Sequence, residues 1–323
     1  MLSRDVLPLI EEAAARVYSV VSETPLAPLP PASGAAPVAA FAKLEQLQTT
    51  GSFKLRGATN KLMSLSKAQA AAGVITSSTG NHGLGVATAA HRLGIDAEVF
   101  LSARVSAAKR DKISERGARI HVIGEDPLTA ELAARAAARE SGRSYISPYN
   151  DPHVIAGQGT IAVELMRQAP DLEAIYIATG GGGLISGIGS YLRHAAPRAE
   201  IIGCWPRNSP VLYECINAGR IFDAPETATL SESTAGGVEE GSITFDLCRE
   251  VMHRGVLVTE EEILRAMRWA HAQGWSVEGA SGVALAAYFQ EAARHANRKA
   301  VVVMCGGNPS PAIAALLNSS EQG

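Results

Sequence analysis

Short, continuously apolar runs recur along this chain, and longer stretches with helical spacing separate them. This alternation constrains the fold more than any other feature of the sequence. Strand-like runs cover 38–44, 74–77, 96–101, 119–123, 174–178, 200–204 and 300–304. Helical periodicity covers 52–65, 83–92, 107–116, 128–140, 154–168 and 184–194, with later helices over 259–272 and 281–293. Strands that are apolar at every position are buried on both faces. The expected fold is therefore α/β, built on open, twisted, mainly parallel sheets with helices on both faces. Thr259, with Glu262 three residues on, predicts a capped helix start.

A length of 323 residues allows about two domains at roughly 100–200 residues each. With 46% hydrophobic and 19% charged residues the chain can bury a sizeable core. A net charge of −3 gives no reason to expect nucleic acid or a membrane surface as partner. Residues 1–20 read as an amphipathic helix in which Arg4, Asp5, Glu11, Glu12 and Arg16 interrupt the apolar core a signal peptide needs. No apolar run approaches the ~18 residues of a membrane span. Cys204, Cys215, Cys248 and Cys305 form no CxxC pair and have no histidine at metal spacing. They read as free thiols of a reducing, cytoplasmic compartment, with no metal site. Alanine-rich stretches at 70–72 and 133–138 are expected in packed helices. The segment 22–37, rich in Pro, Ser and Gly, reads as a surface connection. The weakly periodic stretch 220–241 is either a functional loop or a long surface excursion.

Four segments at expected strand ends carry chemistry. In Thr49-Thr50-Gly51-Ser52-Phe53-Lys54-Leu55-Arg56-Gly57, Ser52 suits a helix N-cap. Lys54 would then sit in a first turn whose dipole disfavours a cation. Either Lys54 is a solvated helix lysine, or it is a buried amine suited to bind an aldehyde. Ser77-Ser78-Thr79-Gly80-Asn81-His82-Gly83 opens a helix and is either a capping turn or a cradle for a carboxylate. Thr179-Gly180-Gly181-Gly182-Gly183 lies between a strand and a helix. Four glycines cost backbone entropy and let main-chain N–H groups approach a phosphate closely. A dinucleotide site would want an acid at the end of the following strand, where Ile202-Gly203-Cys204-Trp205 stands, and no Gly-Lys-Ser/Thr of a P-loop follows the glycines. Val301-Val302-Val303-Met304-Cys305-Gly306-Gly307-Asn308 ends a buried strand in a thiol that either touches a cofactor ring or is structural. A lysine, an anion cradle, a phosphate cup and a ring partner together suit pyridoxal phosphate and an amino-acid substrate.

Ser52-Phe53-Lys54-Leu55-Arg56-Gly57, Ser78-Thr79-Gly80-Asn81-His82-Gly83, the four glycines and Cys305-Gly306-Gly307-Asn308, with Ala156-Gly157-Gln158-Gly159-Thr160, resemble the motifs of the threonine dehydratase and serine racemase family. The resemblance spans nearly the whole chain. It implies the fold-type-II (tryptophan-synthase β-like) architecture, with a large cofactor-binding domain from 1–50 and 150–323 and a small α/β domain from 51–149. It implies a homodimer. Lys54 would hold the cofactor as a Schiff base and shuttle protons, with Thr79 the other catalytic position. Phe53, Asn81, Gly180, Gly181, Gly182, Gly183, Leu184, Glu278 and Cys305 would bind the cofactor. Ser78, Thr79, Gly80, His82 and Tyr149 would contact the substrate.

Departures from the family pattern shape the expected activity. Cys305 stands where the ring-nitrogen partner is usually Ser, and a thiol is a weaker partner. Thr79 stands where the racemases use a Ser acid/base, which argues against racemisation. Trp205 and Val211 occupy positions that are acidic in metal-activated members, so no divalent-cation site is expected. Leu55 follows the lysine where β-replacement enzymes have an acid. The chain ends shortly after Asn308, so a regulatory C-terminal domain is not expected. Ser233-Thr234-Ala235-Gly236-Gly237 and Asn208-Ser209-Pro210 are similar to dehydratases of hydroxyectoine utilisation. The expected reaction is loss of water and then ammonia from a small β-hydroxy amino acid. Racemisation, β-replacement and non-catalytic cofactor binding are the alternatives.

Overall fold

A computed structural model describes residues 1–30, 39–78, 80–103, 105, 107–295 and 298–319. The strands are β1 (Leu26–Pro28), β2 (Ala40–Lys43), β3 (Val74–Ser77), β4 (Ala97–Leu101), β5 (Arg119–Val122), β6 (Ser144–Tyr145), β7 (Ala174–Ala178), β8 (Glu200–Pro206), β9 (Arg254–Val258) and β10 (Ala300–Val303). The helices are α1 (Ser3–Arg16), α2 (Lys54–Met63), α3 (Lys67–Ala72), α4 (Asn81–Leu93), α5 (Ala107–Ser114), α6 (Pro127–Ser141), α7 (Pro152–Gln168), α8 (Gly183–Ala195), α9 (Val211–Ala218), α10 (Ile243–Val251), α11 (Glu260–Ala272), α12 (Gly279–Glu291) and α13 (Pro311–Asn318).

Two sheets result, a six-stranded one in the order β1-β2-β10-β7-β8-β9 and a four-stranded one in the order β5-β4-β3-β6. Every pairing is parallel except β1 with β2. Every residue of the central strands β7 and β10 is buried, which accounts for their unbroken apolar sequence. The smaller sheet lies wholly within 51–149 and the larger outside it. One apolar core nevertheless joins the two parts, since Val6 and Ile10 of α1, Leu55 of α2, Val86 of α4 and Val154 of α7 belong to a single cluster.

Several local expectations change. Ser52 does not cap α2: Phe53 takes that place with no side-chain cap, and Ser52 pairs through its backbone with Gly306. Tertiary pairing has taken the residue that local propensity offered as a cap. Residues 70–72 do not pack, for no residue of α3 is buried. Residues 133–138 do lie in a packed helix, with Ala134 and Ala138 against the small sheet. The segment 22–37 holds the edge strand β1, with Pro28 in it, where a missing N–H is tolerated. Val38, the expected start of β2, is outside the described residues. Thr259 caps α11 as expected, accepting from the Glu262 N–H at 3.3 Å while the Glu262 carboxylate accepts from the Thr259 N–H at 2.7 Å.

The helix that starts at Lys54 is held by backbone contact. A Cβ added at Gly157 of α7 would lie 2.6 Å from the Arg56 carbonyl oxygen and from the Gly57 Cα. No side chain fits between the two helices there. Gly157→Ala is expected to push α2 off α7 and cost about 1–3 kcal/mol, read as a lowered urea midpoint at unchanged m-value. An unchanged midpoint would mean that the helices separate freely.

Candidate active site

The C-terminal ends of β2, β3, β7 and β10 open toward one cleft, and the loops after them carry the residues singled out above. Two cavities share this cleft. The smaller, about 180 Å³, is lined by Phe53, Lys54, Asn81, Tyr149, Gly180, Gly181, Gly182, Gly183, Leu184, Glu278 and Cys305, with Pro148 and the 233–237 segment. The larger, about 410 Å³, is lined by Lys54, Ser78, Gly80, Asn81, His82 and Glu278, with Lys109, Lys112 and Glu232 at its edge. Lys54, Asn81, Pro148, Ser233 and Glu278 border both. The two cavities therefore meet at the lysine.

Lys54 is the first residue of α2, and its Nζ donates to the Pro148 carbonyl oxygen at 2.9 Å. The stem borders open space, yet the amine is deep. Burial pulls it well below the ordinary lysine range, to about 8, against the smaller opposing pull of Cys305 and Glu278.

The glycine turn is shaped by its neighbours. A Cβ at Gly180 would come within 2.9 Å of Thr234, and one at Gly181 within 2.5 Å of the Tyr149 ring. Gly182 has φ of +86°, a conformation that disfavours any side chain, and it caps α8. Thr244 fixes the turn by donating to the Gly181 carbonyl at 2.7 Å. The first N–H groups of α8 have no partner within the helix and lie at the cavity wall, an arrangement that favours an anion.

Asn81 and Glu278 link the two parts of the cleft. The Asn81 amide donates to both Glu278 oxygens at 3.0 and 2.8 Å and accepts from Asn308 at 2.8 Å. Ser233 donates to Glu278 at 2.9 Å. Burial raises the Glu278 pKa, and the hydrogen bonds from Asn81 and Ser233 oppose that rise. Cys305 is buried, with its Sγ 3.8 Å from the Ser281 hydroxyl, and burial followed by the nearby Glu278 charge keeps the thiol protonated.

His82 is nearly enclosed, with Nε2 3.0 Å from the Ile146 carbonyl. Burial, then the Lys54 charge, pushes its pKa down to about 3. It is neutral at working pH and brings no cation to a carboxylate. On this wall an anion finds the Ser78 hydroxyl and the free N–H groups at the start of α4. Thr79 lies outside the described residues. Tyr149 lines the smaller cavity with the glycines, not the larger one, and its hydroxyl accepts from the Glu239 N–H at 3.0 Å. Pro148 and Lys109 were not singled out from sequence, and Ser233 was named only within the 233–237 motif, without a role. Pro148 gives no motif signal because only its carbonyl acts. Among the described residues no group of three or more His, Cys, Asp or Glu is placed to hold a metal ion, and no helix is long and apolar enough to cross a membrane.

Lys54 is expected to react with an amine-directed acylating reagent with a midpoint near pH 8 in the cofactor-free protein, because the neutral form prevails above its depressed pKa. Mass-spectrometric mapping of Lys54 acylation against pH checks this, and a midpoint above pH 10 would refute its burial.

The family model for pyridoxal-phosphate dependent enzymes matches residues 17–306. The L-threonine ammonia-lyase of Thermotoga maritima is 36% identical over 300 residues, covering 93% of this chain and 74% of its own. A putative threonine dehydratase of Sinorhizobium fredii is 34% identical over 309 residues, covering 95% and 93%. Among solved structures, the processed threonine deaminase isoform 2 of Solanum lycopersicum superposes with a TM-score of 0.91 at 31% identity, over 98% of this chain and 93% of that one. Maize serine racemase superposes with a TM-score of 0.87 at 27% identity, over 96% and 95%. With a buried lysine amine where the two cavities meet and a glycine cup lining the smaller one, the chain belongs to the pyridoxal-phosphate dependent enzymes of fold type II, and pyridoxal phosphate is its cofactor.

Proposed function

We propose that this chain is a carbon–oxygen lyase that removes water and then ammonia from a small β-hydroxy amino acid, threonine or serine foremost, and leaves a 2-keto acid. The observation that carries this reading is the desolvated Lys54 amine, held by Pro148 where the two cavities meet. Relatives named for ammonia release from threonine support the substrate class.

The residues fit the cofactor. The glycine turn is a cradle that any Cβ would fill, and it ends at a helix N-terminus suited to a phosphate. Leu184 begins the helix wall, while Phe53, Asn81, Glu278 and Cys305 border the space for a ring. When bound, pyridoxal phosphate supplies an aldehyde for an amine and a conjugated ring that accepts electron density from the α-carbon. Lys54 Nζ is the amine for that aldehyde. Burial keeps part of the Lys54 amine population neutral at neutral pH, and that neutral amine would take the α-proton of the substrate. The Pro148 carbonyl holds Nζ in place for that transfer. Ser78, Gly80 and the N-terminus of α4 take the substrate carboxylate. The protonated Cys305 thiol gives a ring nitrogen only a weak partner, which suits elimination because it demands little charge on the ring.

Within the substrate class, a β-hydroxy amino acid derived from hydroxyectoine fits the same reading, supported by the segment 233–237 along the smaller cavity. We place the enzyme in the cytoplasm, a reading supported by four free, buried cysteines. We take its assembly to be a homodimer, checked by light scattering.

Ammonia and 2-keto acid release from the cofactor-loaded protein, across a panel of β-hydroxy amino acids, tests the reaction. Lys54→Ala is expected to abolish release, and turnover retained in that variant would overturn the mechanism. Gly181→Ala is expected to lower cofactor retention on dialysis at least about tenfold, since the methyl collides with the Tyr149 ring in a close-packed wall. Full retention would remove the phosphate assignment from this turn.

A further inference from the structure

Behind Lys54 lies a second charged cluster, closed to solvent. Lys43, Glu45, Arg56 and Glu164 each have no exposed side-chain surface. Arg56 is bidentate to Glu45, with Nε and Nη2 each 2.8 Å from its oxygens. It also reaches Glu164 at 2.6 and 3.0 Å and the Thr160 hydroxyl at 3.1 Å. Lys43 Nζ binds Glu164 at 2.5 Å, the Thr24 carbonyl at 2.7 Å and Gln168 at 2.9 Å. Two cations and two carboxylates balance.

The cluster touches neither cavity, and stability does not explain it. A buried ion quartet carries a desolvation cost that its mutual attraction barely offsets, and apolar replacements of similar volume are often as stable. Its value must lie in geometry. Arg56 is two residues after Lys54, about 200° around α2, so the helix face opposite Lys54 is the one Arg56 anchors. Guanidinium and carboxylates meet in a planar, directional array that apolar packing cannot reproduce. The array joins α2 to the end of β2 through Lys43 and Glu45 and to α7 through Glu164 and Thr160. On the near side, the Phe53 N–H donates to the Cys305 carbonyl at 3.1 Å.

We propose that Arg56 is the positioning residue for Lys54: the buried Arg56–Glu45–Glu164–Lys43 array sets the rotation of α2 and so holds the lysine amine between the two cavities. The array acts through the backbone of α2 and touches no reacting atom. Its turnover readout rests on the lyase reading; its spectral readout does not.

Two variants test it on the cofactor-loaded protein. K43M/E45L/R56M/E164L removes all four charges at similar volume, and R56K keeps the charge but loses the fork. Cofactor content, the pH midpoint of the bound cofactor's absorbance band, kcat, KM and thermal midpoint are measured for each. The expected result is normal cofactor content with a shifted pH midpoint and a kcat lowered about 10- to 100-fold at little-changed KM, the scale of an ångström-level misplacement. Ser66→Ala, which removes the cap of the unburied helix α3 that lines neither cavity, should lower only the thermal midpoint. If R56K keeps the wild-type pH midpoint and kcat, the proposal is overturned, whatever the quadruple variant does. If the wild type releases no keto acid, the lyase reading fails, while the spectral midpoint still decides the role of Arg56.

Discussion

The contact between α2 and α7 governs the rest of the molecule. Gly57 and Gly157 bring the two helix backbones together, and the buried charges of Arg56 and Glu164 bridge the same helices beside them. Lys54 stands at the end of that contact. An amine useful for proton transfer must be both desolvated and fixed, and a lysine side chain has enough rotamer freedom to be neither. Here the backbone is clamped, the stem passes along the cavity wall, and the head meets the Pro148 carbonyl.

The cleft is chemically quiet before anything binds. Lys54 is partly neutral near pH 8, His82 is neutral, and the Cys305 thiol is protonated, all chiefly through burial. Attraction for an anion therefore comes from oriented backbone N–H groups at the starts of α4 and α8. Such groups are fixed by the fold and need little reorganisation when charge develops. Asn81 and Glu278 tie α4 to the loop before α12 across the cleft, so the two walls are in hydrogen-bond contact where the two cavities meet.

Much of this was legible before any coordinates. Strand β7 matches its expected range at both ends, because an unbroken apolar run in a central parallel strand leaves no ambiguity of period; β3 matches too, although it ends on Thr76-Ser77. The motif residues converge because strand ends in a parallel sheet open toward one edge. Strands β6 and β9 escaped notice: one has two residues, and the other opens on Arg254-Gly255 at the sheet edge, where pairing with β8 overrides weak local preference. Ser52 misled for the same reason, since its residue type suits a cap but its backbone is taken by Gly306.

The sequence by itself determined the alternating architecture, the lysine, the glycine cup and their order along the chain, since period and residue type are local properties. Only the tertiary structure decided that His82 is neutral, that Tyr149 packs against the glycines, and that Lys43, Glu45, Arg56 and Glu164 form one array. Burial and long-range pairing set those outcomes. Lys43 and Glu164 are 121 positions apart, and nothing in either residue's neighbourhood says that they will meet without water.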